Sequence, residues 1–64
     1  MPIIRVEMYA GRTVEQKRAL AKELTDAFIR AAGSTPDQVT IVIDDVAKDN
    51  WATAGVLAAD KAKT

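Results

Sequence analysis

Neither histidine nor cysteine occurs in this 64-residue chain. The usual triads and thiol nucleophiles are therefore ruled out. Pro2 is the most distinctive candidate. Removal of Met1 ahead of this small residue would expose a free secondary amine, compact and basic, with a ring that limits its motion and orients the nitrogen lone pair. An ordinary α-amine titrates at about 8, and a secondary amine starts higher. To act as a base near neutral pH it needs desolvation and nearby cations to lower that value.

The other residues with chemistry to offer are fewer. Asp44 and Asp45 are a carboxylate pair, but adjacent side chains on a strand point to opposite faces, so they read as solvated or salt-bridged rather than as an acid/base couple. The arginines are good carboxylate clamps, because a guanidinium offers a planar fork of donors. Trp51 is a large apolar side chain set in a polar, glycine-containing tail, which is the pattern of an interface or core anchor. No phosphate loop, dinucleotide fingerprint or zinc spacing is present. The sequence gives no reason to expect a metal or an organic cofactor.

The elements that must position these residues are a strand, a helix, a second strand and a tail. The opening MPIIRVEMYAGRT alternates with period two. Ile4, Val6 and Met8 fall on one side, and Ile3, Arg5, Glu7 and Tyr9 on the other. Gly11 breaks the run. Thr13, with Gln16 three residues on, fits a capping box, and Glu15 suits the first turn. From Val14 to Ala32 the apolar residues Leu20, Leu24, Ala27, Phe28 and Ala31 recur at helical spacing, while Lys17, Arg18, Lys22, Glu23, Asp26 and Arg30 are expected to face water. Gly33 marks the stop. Val39 to Asp44 reads as the second strand, rich in β-branched residues. With a helix between them, the strands are expected to run parallel through a crossover. From Asp45 onward the periodicity weakens, Gly55 signals a turn within a short hairpin, and the final residues are expected to fray.

One domain spanning residues 1–64 is all that this length allows. At about 1.5 kcal/mol of conformational entropy per ordered residue, a chain this short barely balances its own ordering, and small domains are usually rescued by disulfides, a metal or association. With no cysteine a disulfide is impossible, and with no histidine either a metal would need an all-oxygen site, so association is the remedy left open. Nine basic and nine acidic residues give a formal net charge of zero, so there is no one-signed field of the kind expected of a nucleic-acid binder. No apolar run reaches membrane length and no secretory leader is recognisable. A cytoplasmic protein with no membrane or nucleic-acid partner is the expectation.

The segments PIIRVEMYAGRTVEQKRALAKELTDAF and VTIVIDDVAKDNWATAGVLA resemble the short-form 4-oxalocrotonate tautomerases of the tautomerase superfamily over essentially the whole chain. The resemblance implies an α/β fold, β-α-β with a short C-terminal hairpin packing against neighbouring subunits, and a homo-oligomer, commonly a hexamer. It implies a cofactor-independent isomerase in which Pro2 is the catalytic base, ketonising enol or dienol carboxylic acids in aromatic compound catabolism. The substrate-binding arginine falls on Arg12, inside GRTVEQK, and the aromatic active-site wall on Trp51, where the characterised enzyme has phenylalanine. Tyr9 occupies a position that lines the site. A second arginine of the family falls on Thr40, where one hydroxyl replaces a charge-assisted contact. Arg5 and Tyr9, on one face of the first strand, are the candidate replacements. Two further readings are a hydratase or dehalogenase of small unsaturated acids, with Asp44 or Asp45 activating water, and a non-enzymatic oligomeric module.

Overall fold

A computed structural model describes residues 2–61. The removal of Met1 and the fraying of the last three residues lie outside those described. The order is β1 (Ile3–Tyr9), α1 (Val14–Ala32), β2 (Thr40–Val46), β3 (Ala52–Thr53), β4 (Val56–Leu57) and α2 (Ala58–Lys61), with single 3-10 turns at Pro36–Gln38 and Lys48–Asn50. β1 and β2 pair in parallel, from Ile3 opposite Thr40 to Tyr9 opposite Val46. The ladder is continued at one end by the Thr40 amide, which donates to the Pro2 carbonyl at 3.0 Å. At the other end the Ala10 amide donates to the Val46 carbonyl, also at 3.0 Å.

In β1 the alternation has the expected outcome. Ile4, Val6 and Met8 are half-buried, and Ile3, Arg5, Glu7 and Tyr9 are exposed. The register places Ile41, Ile43 and Asp45 on the side of Ile4, Val6 and Met8, and α1 contacts β2. β2 departs from the sequence reading at both ends. Val39 closes the 3-10 turn, its amide donating to the Pro36 carbonyl at 3.4 Å. The strand instead runs on through Asp45 and Val46, because Met8 and Tyr9 of β1 still offer partners there. Strand ends are set by the neighbouring strand, which side-chain periodicity does not record.

The helix starts where its sequence signature puts it. The Gln16 amide donates to Thr13 Oγ1 at 3.1 Å, and the Thr13 amide donates to Gln16 Oε1 at 2.9 Å, completing the capping box. At the other end the Gly33 amide donates to the Ile29 carbonyl at 3.1 Å. Leu20, Leu24, Ala27 and Phe28 are half-buried as the spacing predicts, whereas Ala31 is exposed in the last turn. Lys17, expected to face water, is half-buried and paired with Asp45 of β2. The pair joins the start of α1 to the far end of the sheet.

The tail forms the hairpin that Gly55 signals: Ala52 pairs with Leu57 and Thr53 with Val56. Its two-residue turn places Ala54 at φ 54° and Gly55 at φ 78°, the left-handed pair of a type I′ turn. The Ala58 amide then donates to the Trp51 carbonyl at 2.7 Å, closing the hairpin on the residue that precedes it.

Burial is sparse. Ala58, at 8 % exposure, is the one described hydrophobic residue that counts as buried, while Ile3 is 64 % exposed. The radius of gyration is 14.9 Å, where a compact chain of this length would have about 11 Å. The accessible surface is 4757 Å², against about 4,000 Å² expected of a compact monomer of this mass. The helix covers one face of the sheet. The face carrying Ile3, Arg5, Glu7 and Tyr9, with Thr40, Val42, Asp44 and Val46 beside them in register, has no helix of the described residues over it and meets the tail only at its Tyr9 end, through Trp51 and its neighbours.

Candidate active site

The residues singled out from sequence gather at the two ends of the β1–β2 sheet. Pro2 and Thr40 lie at the start of the parallel strands, joined by the backbone hydrogen bond from the Thr40 amide to the Pro2 carbonyl. Pro2 is half-buried, and Thr40 is exposed beside Ile3. Tyr9, Arg12 and Trp51 belong to the other end. Tyr9 is the last residue of β1, and Arg12 lies in the short connection to α1, between Gly11 and the helix cap Thr13. A seven-residue strand spans about 20 Å at 3.3 Å per residue. Within one copy of the chain, therefore, the proline and the arginine-aromatic group do not share a site.

At the Tyr9 end the geometry is specific. The rings of Tyr9 and Trp51 meet edge to face, with centroids 4.8 Å apart and planes at 66°, an arrangement worth about 0.5 to 1.5 kcal/mol beyond its buried area. Lys48 holds its Nζ 5.6 Å from the centre of the Tyr9 ring, a cation-π contact worth about 0.5 to 1 kcal/mol where solvent reaches it. The 3-10 turn Lys48–Asn50 makes this possible, because it leads directly into Trp51. Next to the indole is an open cavity of about 280 Å³ lined by Glu7, Val46, Asn50, Trp51 and Ala52. Tyr9 and Lys48 are not part of that lining.

The carboxylates read as structural from sequence are indeed engaged. Asp44 lies 3.6 Å from Arg5 across the uncovered face, and Asp45 is paired with Lys17 beneath the helix. Both groups that would have to activate water in a hydratase are thus tied to cations. Arg5, a candidate replacement for the missing second arginine, is likewise drawn toward Asp44. Arg12 and Lys48 take part in no ion pair among the described residues. They are two uncommitted cations, Arg12 three residues after Tyr9 and Lys48 three residues before Trp51. Lys48 was missed in the sequence reading. It lies three residues before Trp51, in a polar turn without periodicity, and its approach to Tyr9 depends on a tertiary contact. Among the described residues no cluster of His, Cys, Asp and Glu could hold a metal ion, and no helix is long and apolar enough to cross a membrane.

Known proteins share the sequence and fold of this chain. The family model described as "Tautomerase enzyme" matches residues 2–61. The 2-hydroxymuconate tautomerase of Comamonas testosteroni is 41% identical over 58 residues, covering 91% of this chain and 92% of that one. Among solved structures, a 4-oxalocrotonate tautomerase isozyme from Methylibium petroleiphilum is 40% identical with a TM-score of 0.85, covering 91% of this chain and 94% of that chain. A heterohexameric 4-oxalocrotonate tautomerase from Chloroflexus aurantiacus is 32% identical with a TM-score of 0.87, over 94% of this chain and 97% of that one. The β-α-β unit with its terminal hairpin is the fold of these proteins, and it is matched along nearly its whole length at substantial identity. The chain belongs to the tautomerase family, whose members are isomerases.

Proposed function

We propose that the protein is a keto-enol tautomerase in which Pro2, freed of Met1, is the base, and in which the site is assembled between copies of the chain. The observation that carries this reading is the position of Pro2. Its carbonyl is fixed by the Thr40 amide at 3.0 Å, and its ring nitrogen, at the head of β1, has no place in the ladder. Arg12 and Trp51 lie at the opposite end of the same sheet. A neighbouring copy running the other way would bring its own Arg12 and Trp51 to this Pro2, and the exposed sheet face and expanded shape of the single chain favour such association.

In the assembled site neutral Pro2 takes the proton from the 2-hydroxyl of an enol or dienol carboxylate, or from the carbon beside a carbonyl, and returns a proton at a conjugated carbon. Arg12 binds the substrate carboxylate and draws electron density toward it. Trp51 excludes water, which lowers the pKa of the Pro2 amine and strengthens the Arg12 contact. The chemistry requires no cofactor. A relative named 2-hydroxymuconate tautomerase supports the substrate class, and a heterohexameric relative supports assembly. For this chain we favour a homohexamer, in the cytoplasm, serving aromatic compound catabolism.

The test pairs a mass measurement of the native protein with the kinetics of Pro2→Ala. The native mass is expected to lack Met1. The variant is expected to keep its assembly and to lose about a hundredfold or more in kcat on 2-hydroxymuconate and phenylenolpyruvate, the range of a lost general base. Full activity in Pro2→Ala, or a native chain that retains Met1 and is nonetheless active, would reject proline catalysis.

A further inference from the structure

We propose that Lys48 is a substrate-binding residue, the second cation of the site, which receives the far carboxylate of a dicarboxylic substrate whose near carboxylate is held by Arg12. This rests on the aromatic end of the sheet forming part of the substrate site, as proposed above, and adds to it the group that selects a diacid.

Three observations lead there. Lys48 lies beside the aromatic pair: its Nζ is 5.6 Å from the centre of the Tyr9 ring, and that ring meets Trp51 at 4.8 Å. Any copy that presents Trp51 to a substrate therefore presents Lys48 with it. The ammonium is also uncommitted. It forms no ion pair among the described residues, whereas Arg5, Lys17, Arg18 and Lys22 all face carboxylates. Contact with an aromatic face leaves the N–H donors of an ammonium free to meet an anion. Finally, the surroundings set where an anion can lie. Glu7 is among the residues lining the cavity beside Trp51, and its negative charge opposes a second one there. Lys48, over the Tyr9 ring that meets the indole, supplies the opposite sign. At the Pro2 end, Thr40 lies opposite Ile3, and neither brings a cation.

A flat conjugated diacid suits this arrangement, because its π system can rest on the aromatic pair while its two ends meet Arg12 and Lys48. A monoacid with an apolar end would use Arg12 alone. The expected contribution of Lys48 is thus confined to substrates carrying a second carboxylate.

Trp51 is the single tryptophan of the chain, so its fluorescence can report binding without turnover. The intact oligomer is titrated with cis,cis-muconate, a diacid, and with cinnamate, a monoacid, in wild type, Lys48→Met and Lys48→Arg. Methionine keeps an unbranched apolar chain over the Tyr9 ring and removes only the charge. Lys48→Met is expected to weaken muconate binding by about tenfold to a hundredfold, as for a lost charge-assisted contact. Cinnamate binding should change by less than about threefold, and Lys48→Arg should recover most of the muconate affinity. Equal losses for both ligands would make Lys48 a support for the Tyr9–Trp51 wall, and unchanged affinities would remove it from the site. Weakened assembly with an unchanged ratio would make it an intersubunit ion pair. Each of these three results overturns the proposal. Because the readout is binding, it stands whether or not Pro2→Ala retains activity.

Discussion

Arg12 is expected to act through its charge, since it is exposed next to a helix cap and has no carboxylate partner among the described residues. Arg12→Ala should raise KM for an enol carboxylate and lower kcat/KM by about tenfold to a hundredfold, while an uncharged ester of the same enol loses much less. Steady-state kinetics with the acid and its ester check this, and equal losses on both would assign Arg12 a structural role. The types of residue that matter here were legible in the chain itself. A proline after the initiator methionine, an arginine ahead of a capping box and a lone tryptophan in a polar tail each stand out without any structure. Lys48 did not, because a lysine in a turn looks like a solvated charge until the fold lays it over Tyr9. Arg5 is the converse case. It shares the face of β1 with Tyr9, but the register brings Asp44 within 3.6 Å of it.

At the scale of elements, two local devices hold the functional residues in place. The first is the Thr13–Gln16 capping box, which fixes the residue directly after Arg12. Thr13→Ala should cost about 1 kcal/mol of stability and should also raise KM for carboxylates, since the Arg12 backbone loses its anchor. Thermal melts and kinetics on one preparation test both effects. The second device is the hairpin turn, where Ala54 takes φ 54° beside Gly55 at φ 78°. A left-handed conformation costs alanine about 1 kcal/mol, and asparagine tolerates it better. Ala54→Asn should therefore raise the melting temperature by about 4 °C or more for a domain of this size, with activity unchanged. A lower melting temperature would show that the turn does not limit the stability of the tail. Cap and turn were both readable from sequence, because each depends on residues within four positions of one another.

The whole molecule measures 44 × 25 × 15 Å, and most of its apolar side chains are only half-buried or exposed. A chain of this kind should not persist alone. Sedimentation is expected to give a species of about six times 6.9 kDa, roughly 41 kDa, and the melting temperature should rise with protein concentration. A well-folded monomer at micromolar concentration, melting independently of concentration, would reject association. A stable dimer would reject only the hexamer. Activity should follow the same equilibrium, falling as the assembly dissociates on dilution, because Pro2 and Arg12 lie at opposite ends of one sheet.

The local features of this protein are legible in its residue pattern. Period-two alternation set the inner and outer faces of β1, three- and four-residue spacing set the half-buried stripe of α1, and Thr13, Gly33 and Gly55 set its cap, its stop and the hairpin turn. These follow from backbone geometry and nearest neighbours, which a linear pattern records directly. Tertiary structure decided the rest. The parallel register extended β2 through Val46, paired Asp45 with Lys17 and Asp44 with Arg5, and brought Trp51 and Lys48 onto Tyr9. Each of these contacts joins residues from different elements, and its geometry is set by how those elements pack, a quantity that no spacing along the chain contains.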